Sequence, residues 1–521
     1  MTDLTEDDDA WNEENWGEEL PPSAGNLATS LQQIGAYEFE KAIADIVDNS
    51  ISHGDAENVW IIITNGADDE DADAPFVAII DDGTGMTGDE LKEAIRYGAE
   101  SDPNELNLGR FGLGMKTAST SQCHVVTACS RADKSEDFKA LAWDLNFLRS
   151  GKSGGKWIPL KINPPENKIP NRCFDYISES TGTIVHWSDL SKMIANIATL
   201  PEYQIQQSLA SKIKKTKDHL AMVFHRFLEG KTIYFENKKI NIWVNDVLVQ
   251  PWDPFGKWHQ ASRPHKLDEQ DLPLEFEIED PAEGRVSITH FGKVMSINAR
   301  VLPRTDEFYA QEINGIEMTK NEVHTYLSGP GGWNQSQGIY FYRLDRIIQA
   351  GRWSSILAPD EKTKLARVSI DVGRDWDEQL ELNVTKTFVK LPSALVGTKT
   401  NMKDLRHIFS NVRGRARGVY HNIPWNGITE PLIPPPGGFP TPDPPPPPAP
   451  TPAPTPAPTP APTPAPTPTP EPAPVPPPPS PGHDPTLTEV IREEFKTELL
   501  ESCENHQEKE TLQAIFERLD E

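Results

Sequence analysis

The feature that most restricts folding is a proline tract near the end of the chain. Residues 434–481 contain 28 of the 49 prolines and repeat a Thr-Pro-Ala-Pro unit. Proline restricts φ and lacks a backbone N–H donor, so this tract can form neither helix nor sheet. As polyproline II it would span up to roughly 150 Å. We interpret it as a stiff linker, although its PxxP sequences are also ligands for aromatic grooves.

Most of the net charge of −29 lies at the two ends of the chain. Residues 1–20 hold nine acidic and no basic residues, and residues 484–521 hold twelve acidic and four basic residues. We predict a disordered acidic arm over residues 1–22, in which Trp11 and Trp16 could dock on a surface. The apolar pattern of residues 484–521 predicts an amphipathic helical tail that binds a partner or a second copy. Residues 21–433 carry only −10, and the overall acidity excludes a generally basic DNA-coating protein.

The part of the chain before the linker is long enough for two domains with separate cores. It holds no run of 18 apolar residues, and the acidic N-terminus lacks the apolar region of a secretory signal. Four scattered cysteines are too few for a disulfide framework. These observations predict a cytoplasmic protein with no membrane partner.

Apolar spacing predicts two kinds of domain. In residues 23–235, a helical pattern from Leu27 to Val47 is followed by strand patterns at 58–64, 76–80, 125–128, 140–144 and 183–187. Helices are predicted at 89–97, 117–120 and 209–228, so this part is an α/β sandwich. In residues 236–426, strands are predicted at 240–244, 286–289, 338–342 and 366–372, with helices near 377–383 and 392–410. This second part is predicted to be an α+β domain.

A first polar motif lies on the N-terminal helix. Asp45, Asp48 and Asn49 share one helix face because they are three and four residues apart. A carboxylate can accept a proton from water, and an amide oxygen can bind a hard cation such as Mg²⁺. Taken alone, the motif also fits a capping or solvated polar face.

Two glycine-containing motifs follow. Residues 80–86 end a predicted strand with Asp81, Gly83 and Gly85, where a carboxylate can accept from an exocyclic amine and glycine lets a flat ring approach the backbone. Residues 109–116 are glycine-rich and enter a helix, so their amides can converge on an anion to which Lys116 adds a positive charge. Each of these motifs is a weak indication by itself, since the first also fits a tight turn.

In this order and spacing, the three motifs resemble the N-box, G1 box and G2 box of the GHKL ATPase superfamily of gyrase B, heat-shock chaperones, histidine kinases and MutL. Gly182 and Thr183 agree, because relatives place a threonine near adenine before the same strand. The resemblance covers residues 23–410 and is greatest to the MORC and MutL branch. Residues 239–255, 338–353 and 365–391 resemble its S5-type transducer domain. It implies a Bergerat-type α/β sandwich followed by an α+β transducer domain.

The resemblance implies catalytic roles for three residues. Asp45 takes the place of the glutamate that activates water, and Asn49 takes the place of the Mg²⁺ ligand. Lys386 lies where the transducer lysine reaches the γ-phosphate, although it also fits an ordinary surface lysine. Aspartate at position 45 is a departure, because it is one methylene shorter than glutamate and shifts the carboxylate by about 1.5 Å.

The remaining residues of the motifs would contact ATP. Asp81 would bind the adenine amine, with Gly83, Gly85 and Met86 at the ring and Thr183 joining through water. The phosphates would be held by Gly109, Gly112, Gly114 and Lys116.

These roles imply an Mg²⁺-dependent, slow ATPase that acts as a conformational switch and dimerises through its N-terminal domain on binding ATP. One alternative is a nucleotide-binding scaffold with negligible hydrolysis, whose linker and tail recruit an effector. Another is an ATP-gated DNA clamp lined by basic stretches at residues 212–217 and 413–417, which also fit solvated surface charge. By analogy, the setting would be DNA repair, chromatin-like DNA handling or anti-phage defence.

Overall fold

The structure is a computed structural model. It describes residues 37–66, 74–96, 108, 114–154, 156–190, 202–267, 272, 275–290, 292–354, 356–380, 389, 391–396 and 405–422. All of these belong to one compact unit, residues 1–439. The predicted acidic arm, proline-rich linker and helical tail lie outside the described residues.

The first sheet contains eight described strands. They are β1 (Asn58–Thr64), β2 (Phe76–Asp81), β3 (Val125–Arg131), β4 (Lys139–Asp144), β5 (Leu160–Ile162), β6 (Gly182–Ser188), β7 (Asn241–Val244) and β8 (Val247–Leu248). Their order across the sheet is β5-β4-β3-β6-β2-β1-β7-β8. Neighbouring strands are antiparallel, except that β1 and β7 are parallel. The five strands predicted in residues 23–235 are confirmed, with ends shifted by at most three residues.

Seven described helices accompany this sheet. They are α1 (Phe39–Ser52), α2 (Gly88–Ile95), α3 (Gly114–Gln122), α4 (Leu145–Arg149), α5 (Arg172–Asp175), α6 (Glu202–Val223) and α7 (His225–Glu229). Helix α1 packs against α3 and α6, and together with the sheet they enclose the main core. The predicted α/β sandwich is therefore confirmed.

Strand β2 is buried on both faces, which explains its continuous apolar sequence. Val77 and Ile79 face the core beneath α1, whereas Ala78 and Ile80 face a second cluster on the opposite side. Because successive side chains alternate, Asp81 points to the same side as Ile79, towards α1. The strand therefore delivers one carboxylate to the end of the helix layer.

Strand β7 belongs to the first sheet. Residues 240–244 lie within the predicted second domain, yet β7 pairs in parallel with β1, from Asn58 opposite Asn241 to Ile61 opposite Val244. The side chain of Asn245 strengthens the joint, because its Oδ1 accepts from the amide of Ile63 at 2.8 Å. A parallel pairing between segments so far apart in the chain leaves no local pattern in the sequence.

The predicted helix 209–228 is two helices. It divides at Phe224, whose φ of −107° and ψ of 15° interrupt the helix between α6 and α7. The break lets His225 Nε2 lie 2.8 Å from the hydroxyl of Tyr342. Contacts with a distant strand therefore override the local helical pattern here.

The second domain is built on another sheet. Its strands are β9 (Arg263–Pro264), β10 (Phe276–Asp280), β11 (Arg285–His290), β12 (Lys293–Val301), β15 (Gly338–Arg343), β16 (Arg346–Gln349) and β17 (Ala366–Val372), while β13 (Gln311–Ile313) and β14 (Ile316–Met318) form a separate pair. The order is β10-β11-β12-β17-β15-β16, with β9 on β12. The described helices are α8 (Lys320–Ser328), α9 (Gly332–Ser336), α10 (Ser393–Val396) and α11 (Leu405–Tyr420).

Helix α11 covers one face of this second sheet. Its buried residues recur three and four apart, as in Leu405, Ile408 and Val412, and α11 packs on β12 and β17. The mixture of strands and helices confirms a second domain with its own core. The predicted helix 392–410 is wrong in its bounds, because the described helices there are α10 and α11.

Candidate active site

Three polar side chains form a row across adjacent strands on the α1 side of the first sheet. Asp81 on β2 is opposite Thr183 on β6, which in turn is opposite Ser130 on β3. Residues directly opposite each other in a ladder project to the same face. The structure therefore brings the predicted Asp81 and Thr183 together and adds Ser130, which the motifs did not include.

Asp81 is a buried carboxylate held by hydrogen bonds. The hydroxyl of Ser50, at the end of α1, donates to Oδ2 at 2.8 Å, and the amide of Gly83 donates to Oδ1 at 3.2 Å. Burial raises the pKa of Asp81 to about 6, and the hydrogen bonds from Ser50 and from the backbone of Gly83 and Thr183 oppose that rise. The carboxylate keeps further acceptor capacity, because each oxygen has two lone pairs. It can therefore accept from an amine while Ser50 and Gly83 hold it.

The glycines after β2 are required by close backbone contacts. A Cβ on Gly83 would lie 2.2 Å from the carbonyl oxygen of Gly54, and Gly85 has a φ of +67° with the carbonyl of Arg131 2.0 Å from its Cβ position. The amide of Thr84 also donates to Gly54 at 2.7 Å. These contacts fix the loop beside the end of α1. The predicted approach of a ring to Gly83 and Gly85 stays a prediction.

Ser130 joins this loop to β6. Its hydroxyl accepts from the amide of Met86 at 2.8 Å, donates to the carbonyl of Gly182 at 2.9 Å and lies 2.9 Å from the hydroxyl of Thr183. Thr183 and Met86 are half-buried, so each keeps an exposed surface beside Asp81 or its loop. Ser130 therefore orders two of the residues predicted to contact a nucleotide.

Asn49 lies on α1, one residue before Ser50. Its carbonyl oxygen accepts from the amides of His53 and Gly54 at 2.9 and 3.1 Å, while its half-buried side-chain amide makes no hydrogen bond to another described residue. An amide oxygen left open in this way fits a hard cation such as Mg²⁺. Asn49 is thus suited to the predicted ligand role, and Mg²⁺ held there would neutralise phosphate charge.

Asp45 is buried one turn before Asn49 and has a donor on each oxygen. The hydroxyl of Tyr37 donates to Oδ2 at 2.9 Å, and Nη2 of Arg346 donates to Oδ1 at 3.1 Å. Nε of the same arginine lies 2.7 Å from Oδ1 of Asp48. Burial, followed by the charge of Asp45, raises the pKa of Tyr37 above its ordinary range, so its hydroxyl remains a donor.

The glycine-rich segment is described only from Gly114 onwards. Gly114 begins α3, and a Cβ there would meet no atom within 4 Å. The ammonium group of buried Lys116 donates to the carbonyl of Arg96 at the end of α2, and burial lowers the pKa of Lys116 to about 8. Gly109, Gly112 and Lys386 lie outside the described residues, so their predicted phosphate contacts and that of Lys116 stay predictions.

Four residues that support the site were missed by the motif analysis: Tyr37, Ser50, Ser130 and Arg346. Ser50 lies directly after the N-box residues, so its spacing could have revealed it. Ser130 becomes visible once β3 and β6 are placed in register. Tyr37 and Arg346 reach Asp45 through tertiary packing, and Arg346 lies 301 residues away in the chain. No local sequence signal identifies that contact.

A separate cavity of about 540 Å³ lies in the second domain. Aromatic rings of Phe308, Trp333 and Tyr420 line it together with the ammonium groups of Lys320 and Lys364. Its lining contains none of the residues in the three motifs. The geometry of the predicted nucleotide contacts therefore rests on α1, β2 and β6 and not on this cavity.

Comparison with known proteins gives a family match for part of the first domain. No curated protein matched the chain in a sequence search. Among the described helices, none is long and apolar enough to cross a membrane. Residues 37–176 match the family model described as histidine kinase-, DNA gyrase B-, and HSP90-like ATPase, which confirms the predicted superfamily for this segment and supports ATP binding by it.

Proposed function

We propose that the chain is an ATP-driven conformational switch. ATP binds between the end of α1 and the loop after β2, and Asp45 activates water for slow hydrolysis. The observation that carries this proposal is the hydrogen bond from Ser50 to Asp81, because it joins the helix bearing Asp45 and Asn49 to the carboxylate of the adenine site. Measurement of ATP turnover with Mg²⁺ tests it, with Asp45→Asn as the control.

Within this proposal, the second domain acts as a transducer of the S5 type, as in the MORC and MutL branch. The support is a pair of buried ionic contacts between helix α7 of the first domain and the second domain. Arg226 on α7 lies 3.1 Å from Asp345 and also contacts Asp371, both in the second sheet domain. Truncating one partner of such a pair leaves a buried charge uncompensated, so the two domains are coupled energetically.

Dimerisation on ATP binding completes the proposed cycle. The test is the size of the full chain by light scattering, without nucleotide and with a non-hydrolysable ATP analogue and Mg²⁺. We expect a dimer with the analogue. A monomer at micromolar concentration under saturating analogue would favour the scaffold alternative, in which nucleotide binding does not close a clamp.

The basic stretches proposed for a DNA clamp are partly neutralised or stacked. Lys214 lies 2.5 Å from Asp218, and Arg417 lies 2.9 Å from Asp360. The guanidinium of Arg413 stacks over Trp353, 5.4 Å from its ring centroid. These contacts do not favour a DNA clamp over an ATP-driven conformational switch as the primary function. Salt-dependent retention on DNA is the test of the clamp.

We expect ATP binding to weaken below about pH 6. The pKa of Asp81 is raised to about 6 in the protein, and an adenine amine needs the ionised carboxylate. Below that pH, binding must expel the proton, so the dissociation constant should rise about tenfold for each pH unit. Adenosine binding between pH 5 and 8 is the control, because adenosine carries no phosphate that titrates there. If the affinity for adenosine does not change between pH 5 and 8, the assignment of Asp81 is contradicted.

We also predict that the linker and tail contribute nothing to the stability of the ATPase part. Because the proline tract cannot join a helix or sheet, deleting residues 434–521 should leave the melting temperature and basal turnover unchanged. A second truncation after residue 483 removes only the predicted helical tail. A large loss of stability in either truncation would show that the removed segment packs on the folded part.

A further inference from the structure

The first residue of β16, Arg346, extends its side chain from the second sheet into the proposed catalytic site. The guanidinium of Arg346 bridges Asp45 and Asp48, at 3.1 and 2.7 Å. All three side chains are buried, with exposures of 6%, 3% and 1%. Arg346 also lies over the ring of Phe224, 5.6 Å from its centroid. Arg346 lies outside the three motifs.

The charge balance of this region depends on Arg346. Asp45 and Asp48 are carboxylates one helical turn apart, and burial makes their mutual repulsion costly. A single guanidinium can compensate both, since it presents several donors in a fixed plane. Arg346 therefore places a positive charge beside both carboxylates on α1.

The orientation of Asp45 depends on the same contact. Arg346 holds one oxygen and Tyr37 holds the other at 2.9 Å. A carboxylate oxygen has two lone pairs, so one hydrogen bond to it does not prevent it from accepting a proton from water. Two fixed donors allow only one orientation of the carboxylate. Such fixing matters more for aspartate, whose shorter side chain must place its oxygen without the reach of glutamate.

The backbone that leads into Arg346 is held in place by the two preceding polar residues Arg343 and Asp345. Oδ2 of Asp345 accepts from the amides of Ile233 and Tyr234 at 2.8 and 2.7 Å. Arg343 donates from Nη1 to the carbonyl of Leu108, directly before the glycine-rich segment, at 3.1 Å. Arg346 is thus the first residue of a strand, β16, that follows a turn fixed by hydrogen bonds.

We propose that Arg346 is a positioning residue for hydrolysis, which aims the Asp45 carboxylate at water and makes turnover depend on docking of the second domain against α1. This inference rests on the proposed function, in which Asp45 activates water. The start of β16 would thus orient the base, whereas Lys386 is predicted to reach the γ-phosphate. Arg346 touches Asp45 and Asp48 but is not itself required to contact ATP.

The test compares Arg346→Ala with wild type in the full chain. We expect kcat to fall about a hundredfold, because a carboxylate displaced by about 1 Å loses activity on that scale. The dissociation constant for ATP, measured by calorimetry, should stay within about threefold of wild type, since the effect belongs to the transition state. Arg346→Lys should recover part of the loss, because lysine restores the charge without the planar fork.

Chemical rescue separates positioning from general stability. Added guanidinium ion, at concentrations far below those that unfold proteins, should restore part of the turnover of Arg346→Ala by occupying the space between Asp45 and Asp48. The matched control is Arg263→Ala, which removes another arginine of the second domain, paired with the buried Glu307 at 3.1 Å. Arg263→Ala should keep wild-type turnover and show no rescue.

The outcomes distinguish the two proposals. If wild type hydrolyses ATP, Asp45→Asn does not, and Arg346→Ala keeps wild-type kcat, then the positioning role of Arg346 is wrong. Arg346→Ala could instead lose as much ATP affinity as kcat and show no rescue by guanidinium. That result would mean that the ion pairs of Arg346 are only structural. If Asp45→Asn keeps full turnover, the proposed function of Asp45 fails first. Should Arg346→Ala not fold, Arg346→Lys alone must show reduced kcat with unchanged ATP affinity.

Discussion

Asp45→Asn should bind ATP as well as wild type and hydrolyse it at least tens of times more slowly. Asparagine keeps nearly the same volume but cannot accept a proton from water, and general-base catalysis typically contributes ~10²–10⁴-fold. Ground-state binding should change little, because the base acts mainly in the transition state. The measurement is steady-state phosphate release together with calorimetric titration of ATP. If ATP drives closure, this variant should also accumulate as an ATP-loaded dimer.

Asp48→Asn is the comparison for this experiment. Asp48 is buried on the same helix and pairs with the same Arg346, so it tests whether any carboxylate there supports turnover. We expect a smaller loss than in Asp45→Asn, because the donors Tyr37 and Arg346 fix the carboxylate of Asp45, the proposed base. Undiminished turnover in Asp45→Asn together with its loss in Asp48→Asn would move the base to Asp48.

Asp81→Asn should weaken ATP binding by about thirtyfold or more without unfolding the domain. The carboxylate has two acceptor oxygens, of which one faces Ser50 and the other faces Gly83. Asparagine has only one, so its NH₂ group must oppose either an internal donor or the adenine amine. A lost hydrogen bond to a buried charged group commonly costs about 2 kcal/mol or more, which weakens binding by about thirtyfold. Calorimetry with ATP and a thermal melt of the same sample check both parts.

The neighbouring carboxylate provides a matched control. Asp82 accepts from the amides of Glu57 and Asn58 at 3.0 and 2.8 Å, so it caps the start of β1 instead of facing Asp81's partners. Asp82→Asn should lower the melting temperature while leaving ATP affinity close to that of wild type. Wild-type affinity in Asp81→Asn would sink the assignment of the adenine site.

Local patterns in the sequence predicted most of the first domain. The structure contains the strand predicted from the apolar run of β2 and the helix predicted to carry Asp45 and Asn49. Both could be predicted because the burial of a strand or helix face depends on the pattern of neighbouring residues. The motifs likewise placed Asp81 and Thr183 in one region, and the ladder puts them opposite each other.

The features that the sequence did not predict depend on contacts between distant segments. Strand β7 joins the first sheet through a parallel pairing with β1, and the helix after β6 breaks at Phe224. The hydrogen bond from Arg346 to Asp45 is another such contact between distant segments. In each case the deciding interaction lies over a hundred residues away, where neither periodicity nor motif spacing carries information.

The most direct test of the nucleotide site is a crystal structure of the full chain with a non-hydrolysable ATP analogue and Mg²⁺. The account predicts the exocyclic amine of adenine within hydrogen-bonding distance of the Asp81 carboxylate, and Mg²⁺ bound to Oδ1 of Asn49 and the phosphates. Density for the analogue elsewhere, for example between Phe308 and Trp333 in the cavity of the second domain, with the α1–β2 site empty, would contradict it.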